Sequence, residues 1–244
     1  HRVGCRPDEA VGVARCIEAA DGLVLAGTWT HCAVADDPDD PFTAEQVRRF
    51  DEVLAALTAE GIDPGVQHQA NSPATIAHPD TRRDLVRVGI AAYGVAPSPE
   101  LRGHEVVERL RPAMRLVSEV THVHQVEAGE GVSYGHHHRL DQAGVLATVP
   151  IGYADGVPRG YGLVGGEVLV GGRRHPIRGV VTMDQLVVEV TGEPVAVGDE
   201  VVLLGRQGDE QITALEWAER LGTIGYEVVT RIGPRVPRTH LPST

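Results

Sequence analysis

The sequence predicts an α/β segment followed by a β-rich one, on three observations. Residues 1–110 alternate helix-like and strand-like pieces with short connections, whereas residues 111–244 carry Val-rich runs of strand length between glycine turns. The texture changes near Pro112, with neither an internal repeat nor a low-complexity linker. At 244 residues the chain is long enough for one large domain or two ordinary ones with a substantial core, and 42% hydrophobic with 23% charged residues is ordinary for a globular protein.

Each element has its own signal. Pro7 and Asp8 open a helix over PDEAVGVARCIEAA (7–20), which ends at the Asp21-Gly22 turn. LVLAGTWTHC (23–32) reads as a strand, and the acidic loop ADDPDDP (35–41) follows it. Thr43, with Glu45 and Gln46 behind it, starts a second helix that runs to Gly61 and places Val47, Phe50, Val53, Leu54 and Leu57 on one stripe. VQHQA (66–70), SPATIAHP (72–79) and LVRVGIAAYG (85–94) complete a βαβα rhythm, which calls for parallel strands covered by helices. His31, Asn71 and Arg87 would then gather at strand ends on one face, where such folds carry their chemistry. In the second segment, RLVSEVTHVHQV (115–126), AGVLATVPI (143–151), GEVLVGGRRHPIRGV (166–180), QLVVEV (185–190) and DEVVLLG (199–205) are strand candidates, with one late helix around TALEWAERLG (213–222).

Charge and composition narrow the chemistry. A net charge of -12 argues against nucleic acid or an anionic membrane as the main partner and leaves a small anionic ligand open. No apolar run approaches the roughly 20 residues that span a bilayer, and the opening HRVGCRPDEA lacks a signal peptide's apolar core, so the cytoplasm is the expected location. Cys5, Cys16 and Cys32 are odd in number and lack metal-ligand spacing, which predicts reduced, partly buried thiols. All 22 basic residues are arginine, so these residues offer no lysine for a Schiff base with a carbonyl cofactor.

Several short motifs stay open when read alone. NSPAT (71–75) offers an amide and a hydroxyl at a helix start, which suits an anion or a plain N-cap. RVGI (87–90) sets an arginine before a glycine that a ligand can approach closely. Tyr153 in YADGVPRG and Tyr134 between Ser133 and Gly135 suit packing or catalysis, and the latter's small neighbours leave its phenol uncrowded. His136, His137 and His138 would alternate faces in a strand and so could not all meet one ion, and no metal site is expected.

In order along the chain, HRVG (1–4), THCAVAD (30–36), HQANSPAT (68–75), LVRVGIAAYG (85–94), GVSYG (131–135), TVPIGYADGVPR (148–159), TMDQ (182–185), GYEV (225–228) and RVPR (235–238) resemble the signature blocks of the alanine racemase family. The resemblance implies the C-terminal half of a (β/α)8 barrel that binds pyridoxal 5'-phosphate, followed by a mostly β domain, in a head-to-tail homodimer whose sites are shared between subunits. It implies that Arg87 donates to the cofactor's pyridine nitrogen with His31 in support. Asn71, Ser72, the main chain of Gly89 and Ile90, and Tyr226 would line the phosphate. Arg2 would sit by the lysine and the substrate carboxylate. From the partner chain, Tyr134 would be one of two catalytic bases, Tyr153 would narrow the entrance, and the main chain of Met183 would meet the substrate carboxylate.

The implied reaction interconverts L-alanine and D-alanine by a two-base mechanism that supplies D-alanine for peptidoglycan. The family's Schiff-base lysine precedes the block that Arg2 matches, so the resemblance casts these residues as a fragment, about two-thirds of a subunit, that is inactive alone. Two other expectations stand beside it: an inactive module that binds the cofactor non-covalently or pairs with a full-length subunit, and a serine or broad-specificity racemase of the same fold.

Overall fold

A computed structural model of the protein describes residues 2–241, which divide into two compact units with the boundary between Leu110 and Arg111. In the first unit, α1 (Ala10–Ala19) follows a 3-10 turn at Pro7–Glu9 and packs on α2 (Phe42–Ala59). Ala14, Leu57 and Ile62 form the contact, with Val11, Leu25 and Val53 at its margin. The stripe expected on the second helix is what it buries, most completely at Phe50, Leu54 and Leu57. Pro41 rather than Thr43 caps the helix, because Phe42 already has helical backbone.

Between these helices, β1 (Gly27–Trp29) runs parallel to β2 (Val66–His68). A third segment continues in the same sense, through a parallel bridge between His68 and Leu85 and a hydrogen bond from the Arg87 amide to the Ala70 carbonyl (2.9 Å). After β2 the chain turns at Asn71 into α3 (Ser72–Ala77), and α4 (Glu105–Glu108) closes the unit. Two strand expectations contract. Of 23–32 only three residues pair, starting where Gly27 approaches β2 so closely that a Cβ would lie 2.4 Å from the Val66 carbonyl oxygen. Of 85–94, Leu85 makes the bridge, and the chain then turns into a 3-10 helix at Ile90–Tyr93 that ends on left-handed Gly94.

The second unit is antiparallel, and its strands are β3 (Leu116–Glu119), β4 (His122–Val126), β5 (Gly131–Val132), β6 (His138–Arg139), β7 (Gly144–Val149), β8 (Glu167–Val170), β9 (Arg173–Pro176), β10 (Leu186–Glu189), β11 (Glu200–Gln207) and β12 (Glu210–Ile212). One sheet orders β10-β7-β4, and a second orders β12-β11-β8-β9 with β3 also paired to β11. Alternation along β10 buries Leu186 and Val188 on one face, while Val187 on the other packs against the cluster of Val126, Val132, Leu140 and Leu146.

Helix α5 (Ala214–Leu221) is capped by Thr213, whose hydroxyl accepts from the Glu216 amide at 3.1 Å. It lays Trp217 against Tyr161 with ring centroids 4.4 Å apart, both fully buried. Arg174 holds α5 to the sheet by ion-pairing with Glu216 (2.7 Å), Glu210 (2.8 Å) and Glu167 (3.2 Å). A helix the sequence did not signal, α6 (Gly225–Arg231), follows. The triple histidine is not a strand: His136 lies in a turn with φ 45°, and only His138 enters β6.

Cys5 and Cys16 are exposed and Cys32 is buried. Among the described residues no helix is long and apolar enough to cross a membrane. Trp217→Ala should remove about 3–5 kcal/mol of unfolding free energy through the cavity it leaves. The check is the urea midpoint followed by far-ultraviolet circular dichroism, with Glu193→Ala, which loses a pair to the exposed Arg173, as a control changing by less than about 1 kcal/mol.

Candidate active site

In the first unit the strand ends gather a cationic cluster around Arg87. Its Nη2 donates to the carbonyl of Thr30 (2.8 Å), the carbonyl of Gln69 (3.2 Å) and Nδ1 of His31 (3.3 Å), while Nη1 donates to Nδ1 of His68. The guanidinium carbon also lies 5.1 Å from the centre of the Trp29 ring, which in turn stacks on His68 at 5.8 Å. An arginine only donates, so both imidazole Nδ1 atoms accept, which makes each ring the Nε2–H tautomer. Among the described residues, Nε–H and the second Nη1–H of Arg87 meet no acceptor.

Beside this cluster, Asn71 caps α3 by accepting from the Ala74 amide (3.1 Å), and its Nδ2 donates to the Cys32 carbonyl (3.3 Å). Nε2 of His31 lies 3.5 Å from the same Nδ2, a contact between two donors. Ser72 Oγ accepts from the amides of Gly89 (2.8 Å) and Ala91 (3.4 Å), which leaves its own proton to donate. A Cβ on Gly89 would meet nothing nearer than Ser72 Oγ at 3.9 Å, so the exposed main chain there, before Ile90, is open to close approach. Arg2 is exposed, and its charge reaches His31.

His31, Asn71, Ser72, Arg87, Gly89 and Ile90 thus come together as expected, and His68 and Trp29 join them unannounced. His68 lies in VQHQA, two residues before the end of that expected strand at Ala70, and no local pattern announces its neighbour across the sheet.

Burial, and then the Arg87 charge, hold the His68 ring below its ordinary pKa; at His31 the same two causes act with a smaller contribution from Arg2. The folded state therefore binds fewer protons at these rings than the unfolded chain does. The stability this neutral form contributes is present above the unperturbed value near 6.5 and is lost as pH falls through the lower folded values.

The second unit carries the remaining candidates. Tyr134 is 69% exposed on a turn where Ser133 (φ 61°, ψ -174°) and His136 (φ 45°) both hold positive φ. Such backbone is costly for a residue with a side chain and persists only where neighbours over-determine it. Here the Ser133 hydroxyl donates to the Val180 carbonyl (2.7 Å), and Gly179 packs so tightly below that a Cβ would lie 2.8 Å from Ser133 Cβ.

Tyr153 and Met183 are brought together by main chain: the Tyr153 amide donates to Thr182 and the Ala154 amide to Met183, each at 3.0 Å. Gly152 permits this approach, since a Cβ there would sit 2.3 Å from both the Thr182 and the Met183 carbonyl oxygens. Tyr226 lies half-buried in the first turn of α6, where its carbonyl accepts from the Thr230 hydroxyl (2.8 Å). Among the described residues no group of three or more His, Cys, Asp or Glu is arranged around a metal position.

The α/β unit with an arginine-centred cluster at its strand ends, and the antiparallel unit that follows it in the chain, match solved racemase structures. The family models described as alanine racemase N-terminal domain and alanine racemase C-terminal domain match residues 1–97 and 113–240. The alanine racemase of Streptomyces coelicolor is 46% identical over 98% of this chain and 62% of its own length. The structure of alanine racemase from D-cycloserine-producing Streptomyces lavendulae superposes with a TM-score of 0.91 at 44% identity, covering 100% of this chain and 64% of that one. That of Bacillus anthracis alanine racemase with bound L-Ala-P gives 0.86 at 43% identity, covering 96% and 60%.

The chain belongs to the alanine racemase family, whose members depend on pyridoxal phosphate. It spans about 62% of the length of the Streptomyces coelicolor relative.

The titration of the two imidazoles checks the cluster. In the 244-residue chain, the Cε1 protons of His31 and His68 should titrate by NMR with midpoints below about 6.5. Arg87→Gln should move both midpoints upward; unmoved midpoints would mean that the guanidinium does not face these rings.

Proposed function

We propose that the protein carrying these residues interconverts L-alanine and D-alanine by a two-base, pyridoxal-phosphate-dependent mechanism, as a cytoplasmic homodimer. In each site the first unit of one chain, a partial (β/α)8 barrel over residues 1–110, would hold the cofactor, and the β unit of its partner, residues 111–244, would supply Tyr134, Tyr153 and Met183. The observation that carries the reading is the Arg87 cluster. An arginine with two hydrogens unspent and no carboxylate partner among the described residues suits a neutral aromatic nitrogen acceptor. The open approach to the exposed Gly89 main chain and the Ser72 hydroxyl beside it suit a phosphate, so the residues present fit the cofactor.

Pyridoxal phosphate, when bound, supplies the electron sink that acidifies the α C–H of an amino acid. Arg87 would donate to the ring nitrogen without protonating it, because a guanidinium does not give up its proton near neutral pH. The same field would be held by His31 and His68, neutral and accepting. Asn71, Ser72, the main chain of Gly89 and Ile90, and Tyr226 would orient the phosphate. Arg2 and the main chain of Met183 would bind the substrate carboxylate, and Tyr153 would narrow the approach and exclude water. At the phenolic oxygen of Tyr134 a proton would be taken up from, or delivered to, one face of the α carbon.

The opposite face requires a second base. In the family that is the lysine which also holds the cofactor, and the 244 residues contain none. Activity would therefore require a lysine from outside them. A pairing of this stretch with a full-length subunit is favoured by the same observation as a second reading.

Two measurements test this. With pyridoxal phosphate and borohydride, the 244-residue chain should acquire no stable adduct at any internal position, read by peptide mass mapping. In the protein that joins these residues to their lysine, Tyr134→Phe should lower racemisation by about 10²–10⁴-fold, followed as conversion of L-alanine and of D-alanine. Full activity in both directions would end the two-base assignment.

A further inference from the structure

We propose that Arg235 is a positioning residue that clamps the two turns bearing Tyr153 and Met183 through Asp155 and Asp184; this rests on the racemase reading of those two residues. Arg235 Nη2 donates to Asp184 Oδ1 at 2.7 Å, and its Nε lies 3.3 Å from Asp155 Oδ1. Asp184 directly follows Met183, and Asp155 stands two residues after Tyr153. One guanidinium therefore holds both turns.

The two carboxylates differ in what they ask of it. The Asp155 side chain is only 11% exposed, and its Oδ2 already accepts from the Gly152 amide (2.9 Å), which closes the turn on itself. A nearly buried carboxylate needs a cation, since leaving the charge unpaired costs far more than an exposed pair returns. Asp184 is exposed and gives the clamp its second point of attachment.

The clamp is seated by main chain. The Gly233 amide donates to the Asp155 carbonyl (3.0 Å), and a Cβ on Gly156 would lie 2.5 Å from the Arg231 carbonyl oxygen. Arg238 in turn donates to the carbonyls of Ile232 (2.7 Å) and Gly233 (3.2 Å). Residues 231–238 thus form a seat behind the 152–156 turn, and Arg235 reaches from it across to 184. Beside this reach, the main-chain bonds from Tyr153 to Thr182, from Ala154 to Met183 and from Val181 to Arg159 keep the two segments in register.

Hydrogen exchange on the 244-residue chain reads the clamp directly and does not depend on any activity. Arg235→Ala should speed exchange of the Tyr153 and Ala154 amides by about tenfold or more, with the β10-β7 amides unchanged, and Arg235→Lys should recover part of the protection. Asp184→Asn, at an exposed site, keeps the test available if Arg235→Ala does not fold, and should speed the same two amides. Unchanged exchange in Asp184→Asn and in a folded Arg235→Ala would overturn the clamp.

In the protein joined to its lysine, Arg235→Ala should raise KM for alanine about tenfold while kcat changes less than about threefold, and Arg235→Lys should restore KM in part. A fall in kcat with KM unmoved would overturn the positioning role. If the unsubstituted protein shows no racemisation at all, the racemase reading fails, and the exchange experiment still decides the clamp.

Discussion

Arg87 spans three strand ends from a single side chain. Standing on the third parallel segment, it donates to the Thr30 carbonyl after β1 and the Gln69 carbonyl after β2. Carbonyls at strand ends have lost their ladder partners, and leaving them unpaired while partly desolvated is costly. The guanidinium satisfies two of them and spends its remaining contacts on two imidazoles and an indole face. Burial and then this guanidinium hold the pKa of His31 and His68 below the ordinary value, and two of its hydrogens meet no acceptor among the described residues. The first unit's chemistry depends on this choice of neutral acceptors, because a carboxylate in the same place would consume the donors that a ligand needs.

The second unit solves a different problem, which is to present side chains from turns without letting the turns move. Tyr134 is exposed on backbone that is unfavourable locally, and the Ser133 to Val180 hydrogen bond and the close packing of Gly179 keep it there. Tyr153 and Met183 rely on glycine at 152 for close main-chain approach and on an arginine from the C-terminal segment for lateral restraint. Elsewhere in the unit, α5 is held by ion pairs to Arg174 and packs Trp217 on Tyr161. The first unit thus offers an arrangement of donors and the second an arrangement of side chains presented from turns.

Long periodic elements were legible and short ones were not. Helix α2 declares itself because five apolar positions recur at helical spacing over several turns, and α5 because Thr213 caps an amphipathic run. The strand expected over 23–32 shrank to three residues, since β propensity in Leu23 and Val24 has no pairing partner to satisfy it. Helix α6 was missed because Gly225 and β-branched Val228 and Val229 weaken its helix propensity. The triple histidine carries no signal of its own conformation, and left-handed backbone at Gly135 and His136 makes its start a turn.

By itself the sequence determined the order of elements, the change from α/β to β texture, the absence of lysine and the motif residues that mark the family, because these are properties of residue type and local spacing. Tertiary structure decided which of those residues meet. His68 and Arg87 are 19 positions apart, and Arg235 finds Asp184 across 51, so no local pattern could announce either contact. Hydrogen bonds and ion pairs of this kind arise from the path of the folded backbone. That path also turned RVPR, in the sequence a motif without a role, into the segment that holds the turns of Tyr153 and Met183 in place.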